Sequence, residues 1–125
     1  MDIILKHFPE ISEKQSIDFS KYTQLFKFWN KKINLVSRKD IDNFYEKHIL
    51  HSLSIAKFIK FKENTIVVDF GTGGGLPGIP LAIFFPDVEF ILVDSIKKKI
   101  TAVNHMVDEL SLNNIKTFDD RLENL

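Results

Sequence analysis

Apolar positions recur in two different rhythms along this chain. Up to residue 62 the rhythm is helical. Tyr22, Leu25, Phe26, Trp29 and Ile33 fall three and four apart, which predicts a helix capped near Ser20. A second helix is predicted from Asp42 to Ile59, with Phe44, Tyr45, His48, Ser52, Ile55 and Ile59 along its inner side. Phe61 to Thr65 reads as a short polar joint. Short apolar runs then alternate with helical stretches: strand 65–70, helix about 78–85, strand 88–93, helix 96–111, strand 115–118. Ile96, Ile100, Val103, Val107 and Leu110 give the longer helix an apolar stripe, and Asn113-Asn114 is its predicted stop. Such alternation predicts an α/β fold with a doubly wound parallel sheet, residues 63–125, preceded by a helical region, residues 1–62.

The joint between the first strand and its helix is Asp69-Phe70-Gly71-Thr72-Gly73-Gly74-Gly75-Leu76-Pro77-Gly78, which holds all five glycines of the chain. An ordinary strand-to-helix turn needs one or two. Glycine lets backbone turn sharply and approach a ligand that a Cβ would keep away. Free N–H groups at the start of the next helix are expected to face the same cleft. Gly73-x-Gly75-x-x-Gly78 satisfies the dinucleotide pattern literally, but in the wrong register, because the first glycine after the strand is Gly71. The acidic-x-Gly-x-Gly-x-Gly pattern of S-adenosylmethionine-dependent methyltransferases fits in register, as Asp69, Gly71, Gly73 and Gly75. An acid at 69 would repel a pyrophosphate and would suit a cationic cofactor. Asp94 ends the second predicted strand, where an acid typically accepts hydrogen bonds from ribose hydroxyls; a helix cap is the competing role.

Composition adds exclusions. There is no cysteine, so no disulfide, zinc ribbon or thiolate nucleophile. No apolar run approaches membrane length and no signal-peptide pattern opens the chain, so a cytoplasmic protein without membrane contact is expected. His48 and His51 lack an acid or cysteine at ligand spacing, and no metal is expected. Net charge is zero but divided: residues 1–64 carry 12 basic and 8 acidic groups, residues 65–125 carry 5 and 9. No acid lies between Asp18 and Asp40, while Lys21, Lys27, Lys31, Lys32, Arg38 and Lys39 do. That run, with Lys97, Lys98 and Lys99 after Asp94, is a candidate for RNA phosphate contact; a solvated amphipathic face is the alternative. Trp29 and the phenylalanines are expected in the core.

Several stretches together resemble the bacterial glucose-inhibited-division B family, the small-subunit (16S) rRNA guanine-N7 methyltransferases. They are Trp29-Asn30-Lys31-Lys32-Ile33-Asn34-Leu35, Lys47-His48-Ile49-Leu50-His51-Ser52-Leu53, Asp69 through Ala82, Leu92-Val93-Asp94-Ser95 with Lys98-Lys99, and Arg121-Leu122-Glu123. Lys47 and His51 depart from the family, which usually carries Arg and Asp there. The resemblance implies a Rossmann-like class I methyltransferase fold with S-adenosylmethionine held by Asp69, Gly71, Gly73, Gly75, Leu76 and Asp94, and by Leu122 and Glu123 on the adenosine side. It also implies contact with 16S rRNA, in the small subunit or its precursor, through Lys31, Lys32, Arg38, Lys98 and Lys99. Guanine N7 already carries a nucleophilic lone pair, so no catalytic base is nominated. The absence of cysteine argues against C5-pyrimidine methylation, and the absence of Pro-Pro against exocyclic adenine methylation. The sheets of this class are larger, and the sequence supplies only their first three strands. The reading therefore expects an exposed first-strand edge open to self-association and no turnover by these residues alone. A non-catalytic RNA-binding fragment and a dinucleotide-dependent oxidoreductase are the alternatives.

Overall fold

The computed structural model describes residues 1–121, the Arg38 side chain apart. Helix α1 (Asp2–His7) leads into the long α2 (Glu13–Ile33). The predicted Ser20 cap is corrected to Ser12, which forms a capping box. Gln15 N–H donates to Ser12 Oγ at 3.1 Å, and Ser12 N–H donates to Gln15 Oε1 at 2.9 Å. The polar first turn, Glu13 to Ser16, hides this start from a reading based on apolar spacing. Asn34, left-handed at φ 49°, ends the helix.

After a short α3 (Arg38–Ile41), the helix predicted from Asp42 to Ile59 is broken instead into a π-helical stretch (Tyr45–Leu50), α4 (His51–Leu53) and α5 (Ile55–Phe58). The wider π turn moves the buried stripe by one residue. Phe44, Ile49, Leu53 and Ala56 face the core, while His48 is only partly buried and Ile59 is exposed.

The second region follows the predicted order: β1 (Ile66–Phe70), α6 (Gly78–Phe84), β2 (Glu89–Val93), α7 (Lys97–Glu109) and β3 (Ile115–Phe118). The strands are parallel in the order β1-β2-β3, with Ile66 opposite Glu89 and Phe90 opposite Ile115. Both crossover helices lie on one face. Leu92 of that face packs against Gly78 of α6, and its register partner Thr117 hydrogen-bonds Asn104 of α7 at 2.5 Å. On the other face Ile66, Val68, Phe70 and Phe118 are exposed among the described residues.

Helices α2 and α4 form a third layer over α6 and α7. One core cluster runs through both regions, joining Phe19, Tyr22, Phe26, Phe44 and Leu53 to Ile79, Phe90 and Met106. The carbonyls at the end of α6 are satisfied from two sides: Gln15 Nε2 donates to Ile83 and Phe84, and Asn114 Nδ2 donates to Ala82 and Phe85, reaching also Val88 just before β2. Asn114 is therefore a tie between elements rather than the stop of α7, whose end is marked by Ser111 at φ 54°. No described helix is long and apolar enough to cross a membrane.

Candidate functional site

The five glycines of the loop divide by what surrounds them. Gly71 and Gly73 adopt φ +72° and +58°, and a Cβ added at either would meet nothing within 4 Å. They are needed for left-handed backbone and leave open space at the carboxyl end of the sheet. Gly74, Gly75 and Gly78 face inward. A Cβ on Gly74 would collide with the Phe26 ring and stand 3.1 Å from Leu35 Cδ1; one on Gly75 would collide with Ile79; one on Gly78 would stand 2.7 Å from Leu92 Cδ1. Leu76 is half-buried beside them.

The expected row of free N–H groups does not form. Gly71 and Thr72 both donate to the Val93 carbonyl, at 2.8 and 3.0 Å, and Gly75 and Leu76 donate to the Thr72 carbonyl, at 2.9 and 3.1 Å. Gly73 N–H donates to Asp94 Oδ2 at 2.8 Å, and Gly78 N–H, at the start of α6, to Asp69 Oδ2 at 3.1 Å. Donors that would cradle a pyrophosphate are thus spent inside the protein. What the loop offers a ligand is shape and carboxylate oxygen.

Asp69 and Asp94 support the loop from below. Asp69 Oδ2 also accepts from Thr72 Oγ1 at 2.7 Å. Burial pushes the Asp69 carboxyl above its ordinary pKa; the bonds from Thr72 and Gly78 pull it back, and the nearby Asp94 charge pushes it up again. Asp94 is buried, and its Oδ1 accepts from Ile96 N–H at 2.9 Å, a bond that shapes the start of α7. It thereby fills the cap-like role while tying β2 to the glycine loop. A carboxylate has about four acceptor sites, so each oxygen keeps room for a ligand hydrogen. Leu122 and Glu123 lie outside the described residues.

Thr72 and Tyr22 bond to the candidate site, and the sequence pattern singles out neither for that. Thr72, almost fully buried, carries the Asp69 bond and its carbonyl closes the turn. Its position three residues past the acid is a signal of side-chain bonding that the glycines overshadow. Tyr22 Oη donates to the Gly74 carbonyl at 2.8 Å across 52 residues, and no local pattern announces such a bond.

The predicted RNA residues lie on two surfaces. Lys31 and Lys32 are exposed at the end of α2, with Lys32 Nζ 4.9 Å from the Phe28 ring centre. Phe28 is itself exposed, against the expectation of a core position. A groove of about 840 Å³ runs beside it, lined by Gln24, Lys27, Phe28, Lys31, Asn34 and Asp42 among others. Lys97 and Lys98 are exposed and Lys99 half-buried in the first turn of α7, the end where the helix dipole disfavours cations. His48 Nε2 has no hydrogen-bond partner among the described residues and lies 3.8 Å from Asp40 Oδ2. Burial lowers its pKa more than Asp40 raises it. No group of three or more metal-ligating side chains occurs among the described residues.

The profile of the family described as GidB, rRNA small subunit methyltransferase G, matches residues 15–125. Ribosomal RNA small subunit methyltransferase G of Flavobacterium johnsoniae is 55% identical over 123 residues, which are 98% of this chain and 59% of that one. Its namesake in Flavobacterium psychrophilum is 53% identical over 125 residues, 100% and 60% of the two chains. The chain thus spans about three-fifths of the length of these curated relatives. A solved precorrin-6y C5,15-methyltransferase from Geobacter metallireducens aligns with 74% of this chain and 46% of its own, at 11% identity and TM-score 0.49, too loose a likeness to bear on function. The resemblance carried by the Trp29–Leu35, Asp69–Ala82 and Leu92–Ser95 stretches is borne out: this chain belongs to the rRNA small subunit methyltransferase G family.

Proposed function

We propose that this protein binds S-adenosylmethionine on the loop 71–78 and serves methyl transfer to guanine N7 of 16S rRNA, in the small subunit or its precursor. The carrying observation is the state of the loop's N–H groups. Five of those between Gly71 and Leu76 are spent within the protein, and Asp69 and Asp94 stand beneath the turn. That arrangement is hostile to a pyrophosphate and hospitable to a cation with ribose hydroxyls. It favours S-adenosylmethionine over a dinucleotide on grounds independent of the family match.

When bound, the cofactor supplies an electrophilic methyl on a sulfonium. The chain's own residues bind and orient. Gly71 and Gly73 leave the space, Asp94 keeps lone pairs for the ribose, and Asp69 contributes negative charge near the cation. Guanine N7 already carries a nucleophilic lone pair, so proximity and alignment would supply the rate and no residue would have to remove a proton first. On the substrate side, Lys27 and Lys31 give the α2 groove cations for phosphate, and the exposed Phe28, with Lys32 over its ring, gives an apolar surface for a base. Lys97, Lys98 and Lys99, placed against the α7 dipole, are a second phosphate-binding group. A ribosomal substrate implies a cytoplasmic setting.

Calorimetric titration tests the cofactor reading: S-adenosylmethionine binds and NAD does not, and the reverse result overturns it. Any labelled methyl passed to small-subunit rRNA is expected at guanine N7; label on another atom overturns that part. For the RNA surface, Lys31→Glu with Lys32→Glu weakens rRNA binding. It also flattens the salt dependence by about 0.7–0.9 in log–log slope for each phosphate that is no longer neutralised. An identical slope would reduce the basic stretch to a solvated face.

A further inference from the structure

We propose that Tyr22 is a positioning residue for the cofactor loop, holding the Gly74 carbonyl from α2 so that the left-handed Gly73 stays in its ligand-ready conformation. The inference rests on the reading of loop 71–78 as the cofactor site. Consecutive residues are held from opposite sides. Gly73 N–H is bound by Asp94 at the end of β2, and the Gly74 carbonyl is bound by Tyr22 Oη at 2.8 Å. Between those two anchors lies the Gly73 φ of +58°. Among the described residues no other donor reaches the Gly74 carbonyl.

The anchor on the α2 side is rigid. Tyr22 is fully buried, and its ring makes edge-to-face contacts with Phe26 at 5.8 Å and Phe44 at 5.7 Å between centres. Burial, and then the Asp69 charge, hold its hydroxyl pKa well above the ordinary value, so it stays a donor. Gly74 lies flush against this wall, since its Cβ would enter the Phe26 ring. Its φ is not left-handed, so the lack of a side chain serves packing and not backbone freedom. The same helix carries Lys27 and Lys31 on its outer side, so the element offered to RNA also sets the loop.

A buried tyrosine hydroxyl needs some partner, and Tyr45, whose Oη donates to Ser20 Oγ at 3.2 Å in the same helical layer, is the case without a loop. It is the control. Tyr22→Phe is expected to speed amide exchange at residues 73–76, leaving β2 amides protected as before. It is also expected to weaken S-adenosylmethionine binding about 5–30-fold, as removal of a buried hydrogen bond implies. Tyr45→Phe is expected to change neither. Equal behaviour of the two variants would overturn the proposal. If the unaltered chain fails to bind S-adenosylmethionine, the functional reading falls, and exchange at 73–76 alone decides the anchor. A second arm tests the packing: Gly74→Ala weakens binding, and adding Phe26→Leu, which removes the ring, restores it. Normal binding by Gly74→Ala, or no restoration, would mean that the seam does not set the loop.

Discussion

The two arms of the glycine loop use the same residue for opposite purposes. In the outer arm, Gly71 and Gly73 have left-handed backbone and empty space beyond the Cα; in the inner arm, Gly74, Gly75 and Gly78 have Phe26, Ile79 and Leu92 where a Cβ would stand. One arm borders open space and the other is pressed into the core. A glycine-rich motif is therefore not one signal. Gly71 and Gly73 report a left-handed turn with open space beside it, and Gly74, Gly75 and Gly78 report how closely helix, strand and N-terminal layer converge beneath it.

Alanine at Gly75 and at Gly73 breaks or sharpens this division. Both positions are left-handed, and a Cβ there costs about 1–2 kcal/mol. Gly75→Ala adds overpacking against Ile79, about 1–3 kcal/mol, so its total loss of stability is roughly 2–5 kcal/mol. For a chain of this size that approaches the whole margin. Denaturant unfolding measures it, and a loss no larger than that of Gly73→Ala would erase the distinction between the arms.

The Gly73→Ala variant is expected to keep its fold, losing only about 1–2 kcal/mol from backbone strain. Its effect belongs to the ligand: a methyl in the open space displaces S-adenosylmethionine and abolishes measurable binding in calorimetry. Gly71→Val is expected to behave alike. Unchanged affinity in both would show that the open space is not the cofactor floor.

The same contrast explains what is legible in the sequence. Strands β1, β2 and β3 and helices α6 and α7 match expectation within a residue or two, because each is short, periodic and bounded by its own turn residues. The acids Asp69 and Asp94 stand out at strand ends for the same reason. Residues 38–58 defeat the reading, because a π-helical stretch exchanges the buried position from His48 to Ile49, and sequence spacing assumes an ordinary helix. Ser12 escapes although its capping box is visible, since a search by apolar stripe places the helix start at the first apolar repeat. Tyr22 is legible only as core. Its hydroxyl finds a partner 52 residues away, and such a bond exists only once the layers are stacked.

Asp69 supplies the finest test, because it sits where the two arms meet. Its Oδ2 binds Thr72 at the outer arm and Gly78 at the inner one, and burial raises its pKa in the folded chain. The folded protein therefore keeps this proton to higher pH than the unfolded chain, whose carboxyl titrates near ~3.9. Below that value both states hold the proton and the group has no pH-dependent effect on stability. As pH rises through the raised folded value, the unfolded chain releases its proton first and stability falls; beyond it the loss stays constant. Asp69→Asn keeps an oxygen to accept both bonds and removes the charge. The unfolding free energy of the Asp form, less that of the Asn form, is thus expected to decline as pH rises past the ordinary carboxylate value and to level off once pH has passed the raised folded one. A difference that climbs with pH would contradict the buried-acid account. The Asn variant is also expected to bind S-adenosylmethionine more weakly, because a cation loses its counter-charge at the loop. Gain in stability with loss of affinity would mark Asp69 as an acid kept for the ligand against the interest of the fold.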